Sequence, residues 1–356
     1  MAACQPEEVA SAPTRSPGAA SDGRRRPLAA PTLLTGTEYI ADATRHIHAA
    51  KRRVLLTTLT IADDHRTDAL IDALIWAARR GVKVSVAADV FTYADAAGTF
   101  LPTGYRGARW RAGNRLAGKL SREGVAFSWL GREKGLIWRG RTHTKFCVTD
   151  DVAYAFGGVN LDHRGVENAD FMLRIQDERL ADDLEDVYGR IQRMNLHERG
   201  HRSLELRYGR DRVLVDGGIP GDSIIYRRAL KHAQKADRVL LMSQYCPTGE
   251  LGRTIAERDH ELWFNPPRNA GPANRVLIAS SMAWTGYRTQ YRSARYLHAK
   301  AIVFFRGGAP RAAITGSHNF VNGGVRLGTR EIALETRDEQ MIAQILRFHE
   351  AQVRGG

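Results

Sequence analysis

The chain has 356 residues, of which 43% are apolar and 26% are charged, and its formal net charge is +14. This balance is typical of a folded globular protein with a sizeable core, and it excludes disorder for most of the chain. The surplus of Lys and Arg favours a polyanionic partner: nucleic acid, an anionic lipid surface or a phosphorylated substrate. Because Cys4, Cys147 and Cys246 lie far apart, the sequence predicts neither a disulfide framework nor a structural metal.

The first 31 residues are rich in Ala, Pro, Ser and Gly and lack the apolar core of a signal peptide. We interpret residues 1–31 as a disordered basic tail. No apolar run approaches the roughly 20 residues that a membrane-spanning helix needs. The chain is therefore expected in the reducing cytoplasm, with room for peripheral binding to the inner face of the cell membrane.

From Thr32 onward, apolar strands alternate with amphipathic helices. "TEYIADATRHIHAAKR" has helical apolar spacing, and the β-rich run "RVLLTTLTI" follows it. "RTDALIDALIWAARR" then predicts a second helix, which ends at Gly81 before the buried strand "VKVSVAADV". This alternation predicts an α/β fold.

The same pattern returns in the second part of the chain. "DSIIYRRALKHAQKADRVLLMSQYC" matches "TEYIADATRHIHAAKRRVLLTTLT" when Val239 is aligned with Val54. We therefore predict an internal duplication, with repeats at residues 32–206 and 207–356. The first repeat is longer, because residues 94–140 add a Gly- and Arg-rich stretch.

Each repeat contains a His-x-Lys sequence inside an apolar run, "THTKFCVTD" at 142–150 and "LHAKAIVFF" at 297–305. The apolar alternation predicts a strand in both, and residues two apart on a strand share one face. Each strand should therefore present an imidazole and an ammonium group together. The two pairs are His143 with Lys145 and His298 with Lys300.

A Gly-rich turn and then an acid follow each His-x-Lys. The turns read Gly157-Gly158-Val159-Asn160 and Gly316-Ser317-His318-Asn319, and the acids are Asp170 and Glu331. Glycine allows close approach of the backbone to an anion, and the amide and hydroxyl side chains are donors. We predict that the phosphate-binding positions are Gly158, Asn160, Ser317 and Asn319.

These residue types suit phosphoryl transfer on a diester. The lysines and asparagines can hold the non-bridging oxygens, one imidazole can attack phosphorus, and the other can protonate the leaving alcohol. A carboxylate on each imidazole Nδ1 would fix the tautomer, and Asp170 and Glu331 are the candidates. Since the lysines supply positive charge, we expect neither a metal nor another cofactor.

The stretches "HTKFCVTD…GGVN" and "HAKAIVFF…GSHN" resemble the two HKD motifs of the phospholipase D superfamily. The resemblance extends over about residues 34–350. It implies an α/β, internally duplicated phospholipase D-like fold: two mixed β-sheet halves flanked by helices, related by a pseudo-twofold axis, with both histidines in one interface cleft. It also implies a phosphohistidine intermediate, with His143 as the nucleophile and His298 as the general acid.

One position departs from the motif pattern. The first motif keeps its aspartate as Asp150, whereas the second has Phe305 at the matching place. A residue seven positions after the histidine cannot easily reach the same phosphate. We therefore interpret Asp150 as structural and Phe305 as a tolerated change. Loss of activity through degeneration of the second motif would leave a phosphate-binding scaffold, which the retained catalytic residue types argue against.

The sequence around the first motif favours a lipid substrate. "AFGGVNL…ENADFMLRI" is similar to bacterial cardiolipin synthases, which implies phosphatidyl transfer with phosphatidylglycerol as substrate. The expected partners are then an anionic phospholipid and a membrane surface, with no obligate protein partner. Trp110, Trp129 and Trp138 could lie at the headgroup level, or they could be core aromatics.

Two alternatives use the same site. A phospholipase D-type hydrolase would take water as the acceptor in place of an alcohol. A nuclease would use the positive charge and three Arg-dense segments, 24–26, 105–115 and 197–202, for phosphate contacts. Two further side chains are kept outside the catalytic set. Cys147 is interpreted as a buried strand thiol, and His318 as either a wall or a turn residue.

Overall fold

A computed structural model describes residues 26–94, 107–131, 141–197 and 200–356. Most of the predicted tail therefore lies outside the described residues, as do Trp138 and parts of the three Arg-dense segments. Within the described ranges, no helix is long and apolar enough to cross a membrane.

The first half forms a mixed seven-stranded sheet flanked by helices. Its strands are β1 (Thr32–Thr35), β2 (Arg53–Thr58), β3 (Lys83–Asp89), β4 (Ala126–Leu130), β5 (Phe146–Thr149), β6 (Val152–Ala155) and β7 (Phe171–Gln176). Its helices are α1 (Gly36–Ala49), α2 (Asp68–Arg79), α3 (Phe91–Ala94), α4 (Ala108–Arg122), α5 (His163–Glu167) and α6 (Glu178–His197). The parallel pairs are β2 with β3 and β3 with β4, and the other neighbours are antiparallel.

The second half repeats this architecture. Its strands are β8 (Leu204–Tyr208), β9 (Asp211–Gly217), β10 (Arg238–Met242), β11 (Asp259–Trp263), β12 (Ala301–Arg306), β13 (Ala309–Gly316) and β14 (Arg330–Thr336). Its α-helices are α7 (Ile224–Ala233), α8 (Gly249–Ala256), α9 (Pro272–Thr285), α10 (Asn322–Leu327) and α11 (Glu339–Phe348), and a π-helical segment follows at His349–Arg354.

The strand orders confirm the predicted duplication. They are β1-β7-β6-β5-β2-β3-β4 in the first sheet and β8-β9-β14-β13-β12-β10-β11 in the second. The two orders coincide over six strands when β1 is matched with β9 and β2 with β10. β4 is the additional strand of the first sheet and β8 that of the second. Residue 207, at which the sequence analysis divided the repeats, lies inside β8, so the chain changes sheets a few residues earlier.

Local sequence explains how the first elements form. Glu38 accepts the backbone N–H of Thr35 at 2.8 Å in a capping box at the start of α1. The apolar positions of this helix, including Ile40 and Ile47, are buried against the sheet. α2 is followed by Gly81, whose φ of +85° suits glycine and turns the chain into β3.

Apolar side chains of both halves share one core. This cluster includes Phe146 and Phe171 near the first motif, and Val303 and Ile332 from the second sheet. The Phe171 ring lies 4.9 Å from the ring of Phe348 at the end of α11. The shared core keeps the facing ends of the two sheets in contact, and the predicted site lies at this junction.

Two of the tryptophans pack against the body of the first half. Trp110 is buried and Trp129 is half-buried, with their ring centroids 5.2 Å apart. Trp129 also contacts Tyr93 at 4.7 Å and donates to the Asn114 side chain at 3.2 Å. These contacts favour the core alternative over a position at lipid headgroups.

Asp150 holds a turn, as predicted for a structural residue. Its carboxylate accepts the backbone N–H groups of Lys51 and Arg52 at 2.9 Å and of Arg53 at 3.1 Å. Asp150 has a φ of +51°, a conformation that Asp tolerates better than most residues. In the second half, Phe305 lies 3.8 Å from the Arg238 guanidinium and forms a cation–π contact at the corresponding place.

We predict that Asp150→Ala lowers the free energy of unfolding by about 2 kcal/mol, because three backbone donors lose their acceptor. Urea unfolding followed by circular dichroism measures this change. The matched control is Asp151→Ala at the next position of the same turn, for which we expect ~0.5 kcal/mol or less. Equal stability of the two variants would contradict the structural role of Asp150.

Candidate active site

Both His-x-Lys sequences lie at the junction of the halves, immediately before strands and not inside them. The prediction of strands from residues 143 and 297 was wrong at these ends, because β5 begins at Phe146 and β12 at Ala301. The reason is backbone pairing with the opposite half. His143 N donates to Arg330 O at 2.9 Å, and His298 N donates to Ala169 O at 3.0 Å. This pairing draws each histidine away from its own sheet.

Each imidazole is bound by an acid from the opposite half of the chain. His143 Nδ1 lies 3.1 Å from Glu331 Oε1, and His298 Nδ1 lies 2.6 Å from Asp170 Oδ2. The predicted role of the two acids on Nδ1 therefore matches the geometry, but each acid follows the other histidine's motif in the chain. With Nδ1 held by a carboxylate, Nε2 is the nitrogen of each ring left for substrate.

Two predicted phosphate-binding positions instead support the acids. Ser317 Oγ donates to Glu331 Oε2, and Gly158 N donates to Asp170 Oδ1 at 3.2 Å. A Cβ at Gly158 would lie only 2.6 Å from Asp170 Oδ2, so a larger residue there would displace the acid. We therefore correct the prediction for Ser317 and Gly158, whose hydrogen bonds orient the carboxylates and do not face the cleft.

Both lysines are buried beside their histidines. Lys145 and Lys300 are each 2% exposed, yet both line the cleft. Lys145 Nζ donates to His143 O at 3.0 Å, and Lys300 Nζ donates to His298 O. Each ammonium group thus uses one proton to hold its own motif and retains others for an anion.

A cleft of about 700 Å³ joins these groups. His143, His298, Lys145 and Lys300 line it together with both predicted asparagines, Asn160 and Asn319. Five buried atoms of its lining residues have no hydrogen-bond partner among the described residues: Thr92 Oγ1, Arg141 Nε, His143 Nε2, Asn160 Oδ1 and Asn319 Oδ1. Buried polar atoms are normally paired, so these atoms mark where a ligand would bind.

The cleft also contains residues that the sequence analysis missed. Four arginines line it, Arg109, Arg141, Arg164 and Arg295. Residues from the second half, among them Gln244, Tyr245 and Tyr296, also line it. A weak signal was present in the sequence, because Arg141 and Arg295 precede the two motif histidines by two and three residues. The others come from elements distant in sequence, and no local pattern marks them.

Cys147 and His318, which were kept outside the predicted catalytic set, do not line the cleft. Cys147 is fully buried, and burial raises the pKa of its thiol to about 12, as expected for an unreactive core cysteine. His318 Nδ1 accepts the N–H of Phe320 at 2.8 Å, which identifies it as a turn residue. Among the described residues, no group of three or more His, Cys, Asp or Glu side chains could hold a metal ion.

Burial controls the protonation of the site. It lowers the pKa of both His143 and His298 to about 4, although the neighbouring carboxylates oppose this change. Burial alone would raise the pKa of Glu331, but the His143 imidazole reverses this and the pKa falls to about 2. At neutral pH the free site therefore holds neutral imidazoles and ionised carboxylates, which leaves an Nε2 lone pair ready to attack.

The lysines are also affected by desolvation. Burial lowers the pKa of Lys145 to about 8 and that of Lys300 to about 7. Nearby carboxylates oppose both shifts but do not overcome them. The two ammonium groups are therefore costly to keep charged in the empty cleft, and an anionic ligand would offset that cost.

The first half of the chain matches a family model described as "Cardiolipin synthase, PLD-like domain" over residues 43–191. This range includes the first motif and its acid, and the second half repeats both the strand order and the motif residues. The first half is therefore a phospholipase D-like domain, and the second half repeats its fold and its motif residues. The chain is accordingly an enzyme with a phospholipase D-like domain. Among curated proteins, none matches it significantly in sequence.

Two solved structures share the fold of this chain over about nine-tenths of its length. Phosphatidylserine synthase of Haemophilus influenzae Rd KW20 is similar with a TM-score of 0.65 and 15% identity, over 90% of this chain and 85% of that one. Polyphosphate kinase of Porphyromonas gingivalis has a TM-score of 0.57 and 16% identity, over 91% and 50%. Nuc of Salmonella typhimurium, a phospholipase D family member, has a TM-score of 0.33 and 17% identity, over 49% and 100%.

We predict that Lys300→Met raises the thermal midpoint by roughly 2 °C or more at pH 6, while activity is lost. The folded-state pKa of Lys300, about 7, is below that of an unfolded lysine, roughly 10.4. Between these values the unfolded chain binds more protons, so the wild type gains stability as pH rises. The difference between variant and wild type should therefore be largest below pH 7 and shrink towards pH 10.

Differential scanning calorimetry from pH 6 to pH 10 measures this effect. The matched control is Lys235→Met, because Lys235 is exposed after α7 and its charge is solvated in both states. A lower midpoint for Lys300→Met at pH 6 would show that the buried lysine stabilises the fold.

Proposed function

We propose that this enzyme is a phosphatidyltransferase that acts on phospholipid phosphodiesters, with phosphatidylglycerol as substrate and cardiolipin as product. The observation that carries the proposal is the pair of imidazoles that line one cleft, each fixed at Nδ1 by a carboxylate of the other half. Such a pair suits a reaction in two similar steps, in which the same two histidines exchange a phosphatidyl group and a proton. The match to the cardiolipin synthase domain model supports the lipid assignment.

In the first step, His143 Nε2 attacks the phosphorus of phosphatidylglycerol and the P–O bond to the glycerol headgroup breaks. His298 gives its proton to the departing glycerol oxygen, and a phosphatidyl-histidine remains. In the second step, His298 takes the proton of a hydroxyl group on another phosphatidylglycerol. That oxygen attacks phosphorus, the P–N bond breaks, and cardiolipin and neutral His143 result.

The other cleft residues stabilise the negative charge on the phosphate oxygens. The Lys145 and Lys300 ammonium groups and the amides of Asn160 and Asn319 can hold the non-bridging oxygens. The negative phosphodiester also raises the affinity of a nearby imidazole for a proton, which allows His298 to start the first step protonated. Arg141 and Arg295 add positive charge beside the same histidines.

We expect purified enzyme with phosphatidylglycerol vesicles to form cardiolipin and glycerol, and His143→Ala or His298→Ala to lower the rate by roughly 10³-fold or more. Mass spectrometry of the lipid products measures both. Phosphatidic acid in place of cardiolipin would identify water as the acceptor. Unchanged lipid, together with cleavage of single-stranded DNA, would replace the proposal by a nucleic-acid phosphodiesterase.

A second experiment tests the assignment of the histidines. With a phosphatidyl ester of p-nitrophenol, the leaving group needs no proton, so His298→Ala should still release one equivalent of p-nitrophenol and retain a phosphatidyl group on His143. His143→Ala should release none. Intact-protein mass spectrometry detects the adduct. A burst in His143→Ala and not in His298→Ala would reverse the two roles.

A further inference from the structure

Helix α9 exposes large apolar side chains to solvent. Trp284 is 91% exposed, Val276 is 66% exposed and Leu277 is 44% exposed, whereas Ile278 is the buried residue of this helix. These three are most of the exposed large apolar residues in the described part of the chain. A contiguous apolar patch of this kind normally marks an interaction surface.

The exposed residues form one stripe along the helix. Positions 276, 277, 280, 283 and 284 recur at spacings of three, four and seven and so lie on one face. The only side-chain polar group in the stripe is the hydroxyl of Ser280, which donates to Val276 O at 2.7 Å. Ser281 bonds to Leu277 O in the same way. This face of the helix therefore has few polar groups that need hydrogen bonds from water, and it suits an apolar environment.

The N-terminal turn of α9 lines the active-site cleft. Asn274 lines the cleft and accepts from the hydroxyl of Tyr245 at 3.1 Å. Asn269 and Gly271, just before the helix, also line the cleft. The apolar stripe therefore begins at Val276, two residues after the last cleft-lining residue of α9, and whatever binds this stripe is held close to the cleft.

The charge around α9 selects the partner. Between Glu261 and Glu331 the chain has ten Lys and Arg residues and neither Asp nor Glu. Four of these arginines are exposed near the helix, Arg268, Arg275, Arg288 and Arg292, and none forms an ion pair with a carboxylate of the described residues. An apolar stripe with a tryptophan and flanking arginines is the pattern of a helix that lies in a membrane interface. Each such arginine gains binding energy from anionic lipid.

We propose that the α9 surface, defined by Val276, Leu277, Ser280, Ala283 and Trp284 with the four arginines, docks the enzyme on an anionic phospholipid bilayer. Docking would place the cleft beside the headgroups, so that a lipid phosphodiester reaches the histidines without leaving the membrane. This inference rests on the proposed lipid substrate. The membrane contact is then made by the second half of the chain. It is not made by Trp110 and Trp129, which pack inside the first half.

The test compares Trp284→Glu with Trp76→Glu. Trp76 is also exposed, at 51%, but it lies on α2 with the exposed Asp72 one turn before it and no apolar stripe around it. Co-sedimentation with phosphatidylglycerol vesicles should show at least tenfold weaker binding for Trp284→Glu and unchanged binding for Trp76→Glu. Binding by the wild type should fall in phosphatidylcholine vesicles and at high salt.

The readouts separate docking from catalysis. Short-chain phosphatidylglycerol below its micellar concentration should be converted equally by wild type and Trp284→Glu, because Trp284 lies outside the cleft lining. If vesicle binding depends on Trp284 but no lipid is converted, docking stands and the proposed reaction fails. Equal vesicle binding by both variants would overturn the proposal. So would a change from dimer to monomer in Trp284→Glu with vesicle binding unaltered, which would assign the surface to a second copy.

Discussion

The bond between each imidazole and a carboxylate of the opposite half is the constraint on which the site depends. His143 needs Glu331 and His298 needs Asp170, so either half alone would present a histidine without its acid. The backbone pairing of the same segments across the junction sets the distance between the two histidines. The shared apolar core stabilises this arrangement, and the catalytic geometry is therefore a property of the interface between the repeats.

The two acids are unequal, and their surroundings compensate for the difference. Asp170 has the shorter side chain, and its carboxylate lies so close to residue 158 that only glycine fits there. Glu331 is one methylene longer, which leaves room for Ser317 beside it and for a hydrogen bond from that hydroxyl. The Gly/Ser difference between the motifs is therefore coupled to the Asp/Glu difference, and each combination delivers a carboxylate oxygen to Nδ1.

The sequence predicted the duplication, the α/β fold and the residue types of the site, because periodicity and repeated spacing are local signals. It could not predict which acid serves which histidine, since Asp170 and Glu331 each follow their own motif at a similar distance. The apolar alternation also runs through both His-x-Lys sequences, so nothing local shows that their backbones leave the sheet. Ser317 looked like a phosphate donor because its true acceptor, Glu331, is 14 residues away.

The symmetry of the site ends at the cleft walls. The first half contributes charged wall residues such as Arg109, Arg164 and Glu167, whereas the second half, apart from Arg295, contributes neutral ones such as Gln244 and Tyr245. Attack and departure at phosphorus are the same event in opposite directions, which two equivalent histidines can perform. The donor lipid reacts through its phosphodiester and the acceptor lipid through a hydroxyl group, however, so the surroundings must hold them in two different positions. The repeats have therefore kept the reacting groups alike while their outer parts diverged, the first half through β4 and α4 and the second through α9.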